Sequence, residues 1–213
     1  MYKKIVNEVA SLAEPDFAQW IKPFLSIKEN SQETVLGVRV PKLRKLAKQY
    51  KDVGIDVLLK LLISNIHEHR ALALFIMLHK TLKEPELMCK IYLENLSYIN
   101  NWDLIDYTAP HIVAPNITSE TFYALANSDY MWANRVAMVG TIYFIKQNDF
   151  EIALNLSEKF MHHPHHLMHK AAGWMLREIG KKDVRVLLDF LHKHEHEMPS
   201  VMKSYAKEKL KKY

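Results

Sequence analysis

Cysteine is nearly missing from the 213 residues: Cys89 stands alone, so no disulfide can close within the chain. Glycine occurs only five times, and the Asn-Gly and Asp-Gly pairs that turn β-hairpins do not occur at all. Long apolar runs are also lacking. One of the longest, Ala71 to Leu78, is far short of the ~20 residues needed to cross a bilayer. No apolar segment of the kind that directs export follows Met1, so the expectation is a soluble cytoplasmic protein with no membrane partner.

What is present points to helices. Hydrophobic residues make up 49% of the chain, enough for a real core, and the length fits one domain spanning 1–213. Apolar residues recur at three- and four-residue spacing almost everywhere, which predicts an all-α fold with roughly a dozen helices. Pro41 opens "PKLRKLAKQY" where a helix tolerates proline, and Pro85, Pro110, Pro115, Pro164 and Pro199 fall between further helical patterns. The net charge of +5 modestly favours anionic partners.

Five segments align when anchored on a polar residue followed by small or apolar ones. The anchors Arg70, Asp103, Arg135, Lys170 and Ser204 are separated by 33, 32, 35 and 34 residues. Each interval has room for two helices, the pattern of an α-solenoid of stacked helical pairs; an irregular helical bundle is the alternative. In a solenoid the second helices would line a concave groove, with Arg70, Arg135 and Lys170 forming a basic row interrupted by Asp103 and Asp106.

The stretch "YINNWDLIDYTAP", 98–110, places Trp102 and Asp106 four residues apart, on one face of a helix. An indole beside a carboxylate is either ordinary packing or a site for something cationic. Asp103, early in its helix, is explained by the favourable end of the helix dipole. Asp106 lies a turn further in, and Pro110 cannot donate to the carbonyl of residue 106, so a loosened turn or a helix end is expected there.

"VLGVRVPKLRKLAKQYKD", "YINNWDLID…APHIV", "MWANRVAMVGTIYFIK", "HKAAGWMLREIGKKD" and "MPSVMKSYAKEKL" resemble, in order and spacing, the DNA alkylation repair family, the AlkD-like glycosylases built from HEAT-like repeats. The resemblance runs from about Gly37 to Leu210. It implies a HEAT-like α-solenoid with a concave basic groove. It also implies a monomer that excises cationic N3- and N7-alkylated purines from duplex DNA, using no metal and no organic cofactor. By the same resemblance Asp106 is the catalytic carboxylate, Trp102 and Trp174 are aromatic walls near the lesion, and Arg135 contacts the DNA backbone. Arg39, Arg44, Lys45, Lys170 and Arg177 are further candidates for DNA contact.

The chemistry agrees with that assignment. An alkylated purine already carries positive charge and leaves without prior protonation, so what remains is to stabilise the sugar cation and position water. The chain departs from the family where many members carry two adjacent arginines, having Asn134-Arg135 instead, and it has His166, Ser200 and Ser204 where charged residues are common. Those losses imply weaker DNA binding and keep a second reading open: a non-catalytic HEAT-like scaffold for DNA or for a protein.

Among the twelve histidines, "HHPHH" at 162–166 straddles a proline, and neither "HKHEHE" at 192–197 nor "HEHR" at 67–70 has the spacing of a known metal-ligand set. No metal site is expected. The lysine-rich tail "KEKLKKY" is expected to be a solvated helix end.

Overall fold

A computed structural model describes residues 1–27 and 31–210; residues 28–30, within "SIKENSQETV", and the last three of the lysine-rich tail, 211–213, lie outside it. The fold is all-α, as expected. Among the described residues there is no strand, only an isolated parallel bridge between Thr34 and Ile66. Prolines sit in the first turn of α2 (Pro15–Ile21), α3 (Val40–Gln49) and α6 (Pro85–Glu94), where a missing N–H costs nothing. None of the described helices is long and apolar enough to cross a membrane.

The chain divides into two compact units, Met1–Thr108 and Ala109–Tyr213. In the first, α5 (His67–Lys80) is the central element. It packs on α1 (Tyr2–Ser11), on α3, on α4 (Ile55–Leu62) and on α7 (Trp102–Ile105). Every residue of α5 from His67 to Met77 is buried. Leu72, Leu74, Ile76 and Met77 of α5 and Leu58, Leu61 and Leu62 of α4 are all buried in the core, each contributing about 1.5–3 kcal/mol of transfer free energy.

The second unit contains α8 (Ala109–Ile112), α9 (Ser119–Ala126), α10 (Met131–Gly140), α11 (Ile142–Lys146), α12 (Glu151–Phe160), α13 (His166–Lys182), α14 (Val184–Lys193) and α15 (Ser200–Lys207). Here α13 is central, packing on α10, α11, α12, α14 and α15. Its closest partner is α15. A Cβ on Gly173 would lie 2.7 Å from the Cβ of Tyr205 and against the Met202 carbonyl, so only glycine lets the two backbones approach this far.

The repeat anchors land inside helices. Arg70 is the fourth residue of α5, Asp103 the second of α7, and Arg135, Lys170 and Ser204 the fifth of α10, α13 and α15. The expected row of open cations does not follow. Arg70 and Arg135 are buried, at 4% and 5% exposure, and spend their guanidinium groups on internal partners.

Gly37 has φ +78°, and a Cβ there would collide with the Glu14 carbonyl and the Ala18 amide. Gly37→Ala should therefore lower stability by about 3 kcal/mol in denaturant titration. A loss below about 1 kcal/mol would show that this segment can relax away from α2.

Candidate functional site

Four consecutive polar residues open α5, and all four are buried: His67, Glu68, His69 and Arg70. Each has at least one polar partner within the fold. Glu68 accepts from the backbone N–H groups of Leu36 (2.9 Å), Gly37 (2.7 Å) and Val38 (3.3 Å), and so holds the turn that leads into α3. His69 Nδ1 meets Ser64 Oγ at 3.0 Å, and burial pushes its pKa down to about 4, leaving the ring neutral. Arg70 donates to the Ser64 carbonyl at 3.0 Å and pairs with Glu33.

His67 bridges two carboxylates. Its Nδ1 is 2.8 Å from Glu33 Oε1 and its Nε2 is 2.7 Å from Asp103 Oδ2. Burial opposes charge on the ring, but Asp103 and Glu33 outweigh it and raise the pKa to about 9, so at neutral pH both ring nitrogens donate. Burial likewise works against ionised Glu33. The hydrogen bond from His67 and the charge of Arg70 prevail and hold its carboxyl below the ordinary value.

This network forms part of the wall of a cleft of about 600 Å³ in the first unit. The other walls are mostly apolar, supplied by Phe17 and Ile21 of α2, Val38, Leu43 of α3 and Phe75 of α5. Trp102, Asp103 and Asp106 line it together, with Arg39, Arg44 and Tyr107. The start of α7 is fixed by Asn101, whose fully buried Oδ1 accepts from the N–H of Trp102 at 3.0 Å and from that of Ser26 at 3.3 Å. The Trp102 indole N–H donates to the Phe24 carbonyl at 2.8 Å, which sets the ring's orientation.

The expected break near Pro110 is present. α7 ends at Ile105, Asp106 is its C-cap residue, and Thr108 N–H closes a turn on the Ile105 carbonyl at 3.0 Å. A carboxylate at a helix C-terminus gains nothing from the helix dipole. A half-buried carboxylate beside an indole in an apolar cleft is suited to stabilising a cation.

The candidate DNA contacts fall into two groups. Arg44 and Lys45 are exposed on α3, with the Arg44 guanidinium 4.4 Å from the Tyr107 ring centroid and 5.4 Å from that of Phe75. Lys170 is half-buried on α13. The other three pair within the chain, Arg39 at the surface. Arg39 pairs with Glu14 at 2.9 Å and stacks on Phe17 at 4.2 Å, Arg135 donates to the Leu167 carbonyl at 2.8 Å, and Arg177 pairs with Glu208 and lies 3.6 Å from Glu178. Trp174, on α13 of the second unit, packs against that unit's core and donates to Glu178 at 3.1 Å.

The family model of DNA alkylation repair enzymes matches residues 5–210, nearly the whole chain. The chain belongs to the DNA alkylation repair enzyme family. A solved structure described as a predicted DNA alkylation repair enzyme from Enterococcus faecalis shares its fold, with TM-score 0.70 at 15% identity, covering 94% of this chain and 98% of that one. Among curated proteins none matches.

Two features of this family member escape a reading of its sequence. Tyr107 adjoins Asp106 and lies under Arg44, but no periodicity marks it. His67 acts on the cleft through Asp103, 36 residues away, and Glu33 acts on His67 from 34 residues away, so no local pattern reveals the bridge. Among the described residues no group of three His, Cys, Asp or Glu is arranged to hold a metal.

Because the folded pKa of His67 is raised from 6.5 to about 9, its contribution to stability is complete below about pH 6.5 and is lost as pH rises through about 9. The Glu33 contribution has the opposite sense, present above 4.5 and lost as pH falls through its lowered folded value. Denaturant midpoints should therefore fall between pH 6.5 and 9, and His67→Gln should lose that fall. A wild-type profile flat across the window would contradict the bridge.

Proposed function

We propose that the chain is a DNA N-glycosylase acting on duplex DNA that contains cationic N3- or N7-alkylated purines. The observation that carries the proposal is the meeting of Trp102 and Asp106 in one largely apolar cleft, with Asp106 at the helix end where the chain leaves α7.

In the proposed reaction the C1′–N9 bond of the sugar breaks and its electron pair passes to the base, neutralising the alkylpurine cation. The leaving group is already activated, so no step requires a metal or an organic cofactor. Asp106 faces the positive charge developing on the sugar, the indole of Trp102 contributes about 0.5–2 kcal/mol of cation–π attraction, and water adds at C1′ with its proton passing to Asp106 or solvent. The products are a free alkylated base and an abasic sugar. Trp174 is proposed as an aromatic contact to DNA contributed by the second unit, with Arg44, Lys45 and Lys170 as phosphate contacts.

The engagement of Arg39, Arg135 and Arg177 with internal partners favours a second reading, a scaffold that binds without cutting. Release of 3-methyladenine and 7-methylguanine from methylated duplex separates the two. The expected result is release above the spontaneous rate by wild type, a loss of at least about 100-fold in Asp106→Asn, and a smaller loss in Trp174→Ala. Duplex binding without release by any of the proteins would leave only the scaffold.

Salt dependence offers a second check. With phosphate contacts limited to Arg44, Lys45 and Lys170, log K against log salt should have a slope of about −3. A slope near zero would show that duplex DNA is not the partner.

A further inference from the structure

The turn that carries Asp106 is tied down from inside the first unit. Thr108 follows Asp106 by two residues and is buried at 1% exposure, and Tyr92 of α6 is fully buried. Thr108 Oγ1 donates to the Leu104 carbonyl, and the Tyr92 hydroxyl lies 3.1 Å from Thr108 Oγ1. A hydroxyl has one proton to give. Since that of Thr108 goes to a carbonyl, the phenol is the donor in its pair with Thr108, and the relay runs from Tyr92 to Thr108 to Leu104.

Helix α7 has only four residues, so its last carbonyls lack the amide partners of a longer helix. In a continuing helix the Thr108 N–H would serve Leu104. Here it bonds the Ile105 carbonyl at 3.0 Å, and the Thr108 hydroxyl takes its place at Leu104. Thr108 thus satisfies two successive carbonyls of α7 and fixes the backbone on both sides of Asp106, whose own N–H is held by the Trp102 carbonyl at 2.9 Å. Burial pushes the Tyr92 phenol pKa up although the Thr108 hydrogen bond opposes it, and the charge of Asp106 adds to the rise. The phenol therefore remains a donor at neutral pH. Both side chains are buried and neither lines the cleft, so they act on it only through the turn.

We propose that Tyr92 and Thr108 are positioning residues for Asp106: their relay to the Leu104 carbonyl holds the 104–108 turn so that the carboxylate stays in the cleft. This rests on the reading of Asp106 as the group that faces the sugar cation. A carboxylate that stabilises a developing charge works by being in place beforehand, and a displacement of about 1 Å costs about 100-fold in rate. Removing one link of the relay loosens the turn without opening it. The loss is therefore smaller, about tenfold, and falls on the chemical step and not on DNA binding.

Single-turnover release of 7-methylguanine from methylated duplex, with enzyme in excess, separates the chemical step from binding. Tyr92→Phe and Thr108→Val should slow release about tenfold relative to wild type, with duplex affinity unchanged. Thr108→Ser keeps a hydroxyl able to reach the Leu104 carbonyl and should release base within about twofold of wild type. Ile91→Val, a core change on the same helix as Tyr92, tests for simple loosening of α6 and should leave the rate unchanged. The Thr108 pair decides the matter even where melting curves show that Tyr92→Phe does not fold, because valine keeps the shape of threonine.

Rates for Tyr92→Phe and Thr108→Val within about twofold of an active wild type would overturn the relay alone and leave the role of Asp106 standing. Thr108→Ser as slow as Thr108→Val, or Ile91→Val as slow as Tyr92→Phe, would overturn it in favour of a packing role, as would loss of duplex affinity in step with rate. No release by wild type would overturn the glycosylase reading itself and the relay with it.

Discussion

The first unit depends on the buried polar cluster at the head of α5. Through Glu68 it fixes the turn at 36–38, through Arg70 and His67 it holds Glu33, and through His67 again it holds Asp103 on α7. Helix α5 thereby joins two segments that are remote in sequence and line the same cleft. Buried ion pairs add little net stability, because desolvation offsets their attraction, yet removing one partner costs about 3–5 kcal/mol. The cluster therefore acts mainly on position: it makes any other arrangement of these segments expensive.

From that constraint the site follows. Asp103 is held by His67, and Trp102 is held at three points, its backbone by Asn101, its indole by Phe24, and its following residue by the bridge. Asp106 then comes at the C-cap, where the chain leaves α7. The proposed reaction relies on charge complementarity and needs its carboxylate fixed beforehand, so that no reorganisation is required as the cation develops. A short helix clamped at its start and ended one residue before the carboxylate is a direct way of meeting that requirement.

Much of the architecture was legible in the sequence. Apolar spacing predicted an all-α fold, and the anchors from Arg70 to Ser204 all fall within helices. Pro110, which has no N–H to donate, marked the disturbance after Asp106, because a helix cannot continue through a missing donor without cost. Charges were less legible. Arg39, Arg70, Arg135 and Arg177 appear in sequence as open cations, but each is engaged by a carboxylate or carbonyl brought to it by folding. The aromatic row Phe17, Trp20 and Phe24 was hidden for another reason: its three- and four-residue spacing is that of a core stripe, and only the fold shows that Trp20 and Phe24 face water.

The central claim is that a charged imidazole bridges Glu33 and Asp103 and thereby sets α7 beside the cleft. Nitrogen NMR of the His67 ring tests it most directly. The account predicts that both ring nitrogens carry a proton at neutral pH, and that Asp103→Asn lowers the pKa of the ring from about 9. A His67 that is neutral at pH 7.5, or whose titration is indifferent to Asp103, would contradict it.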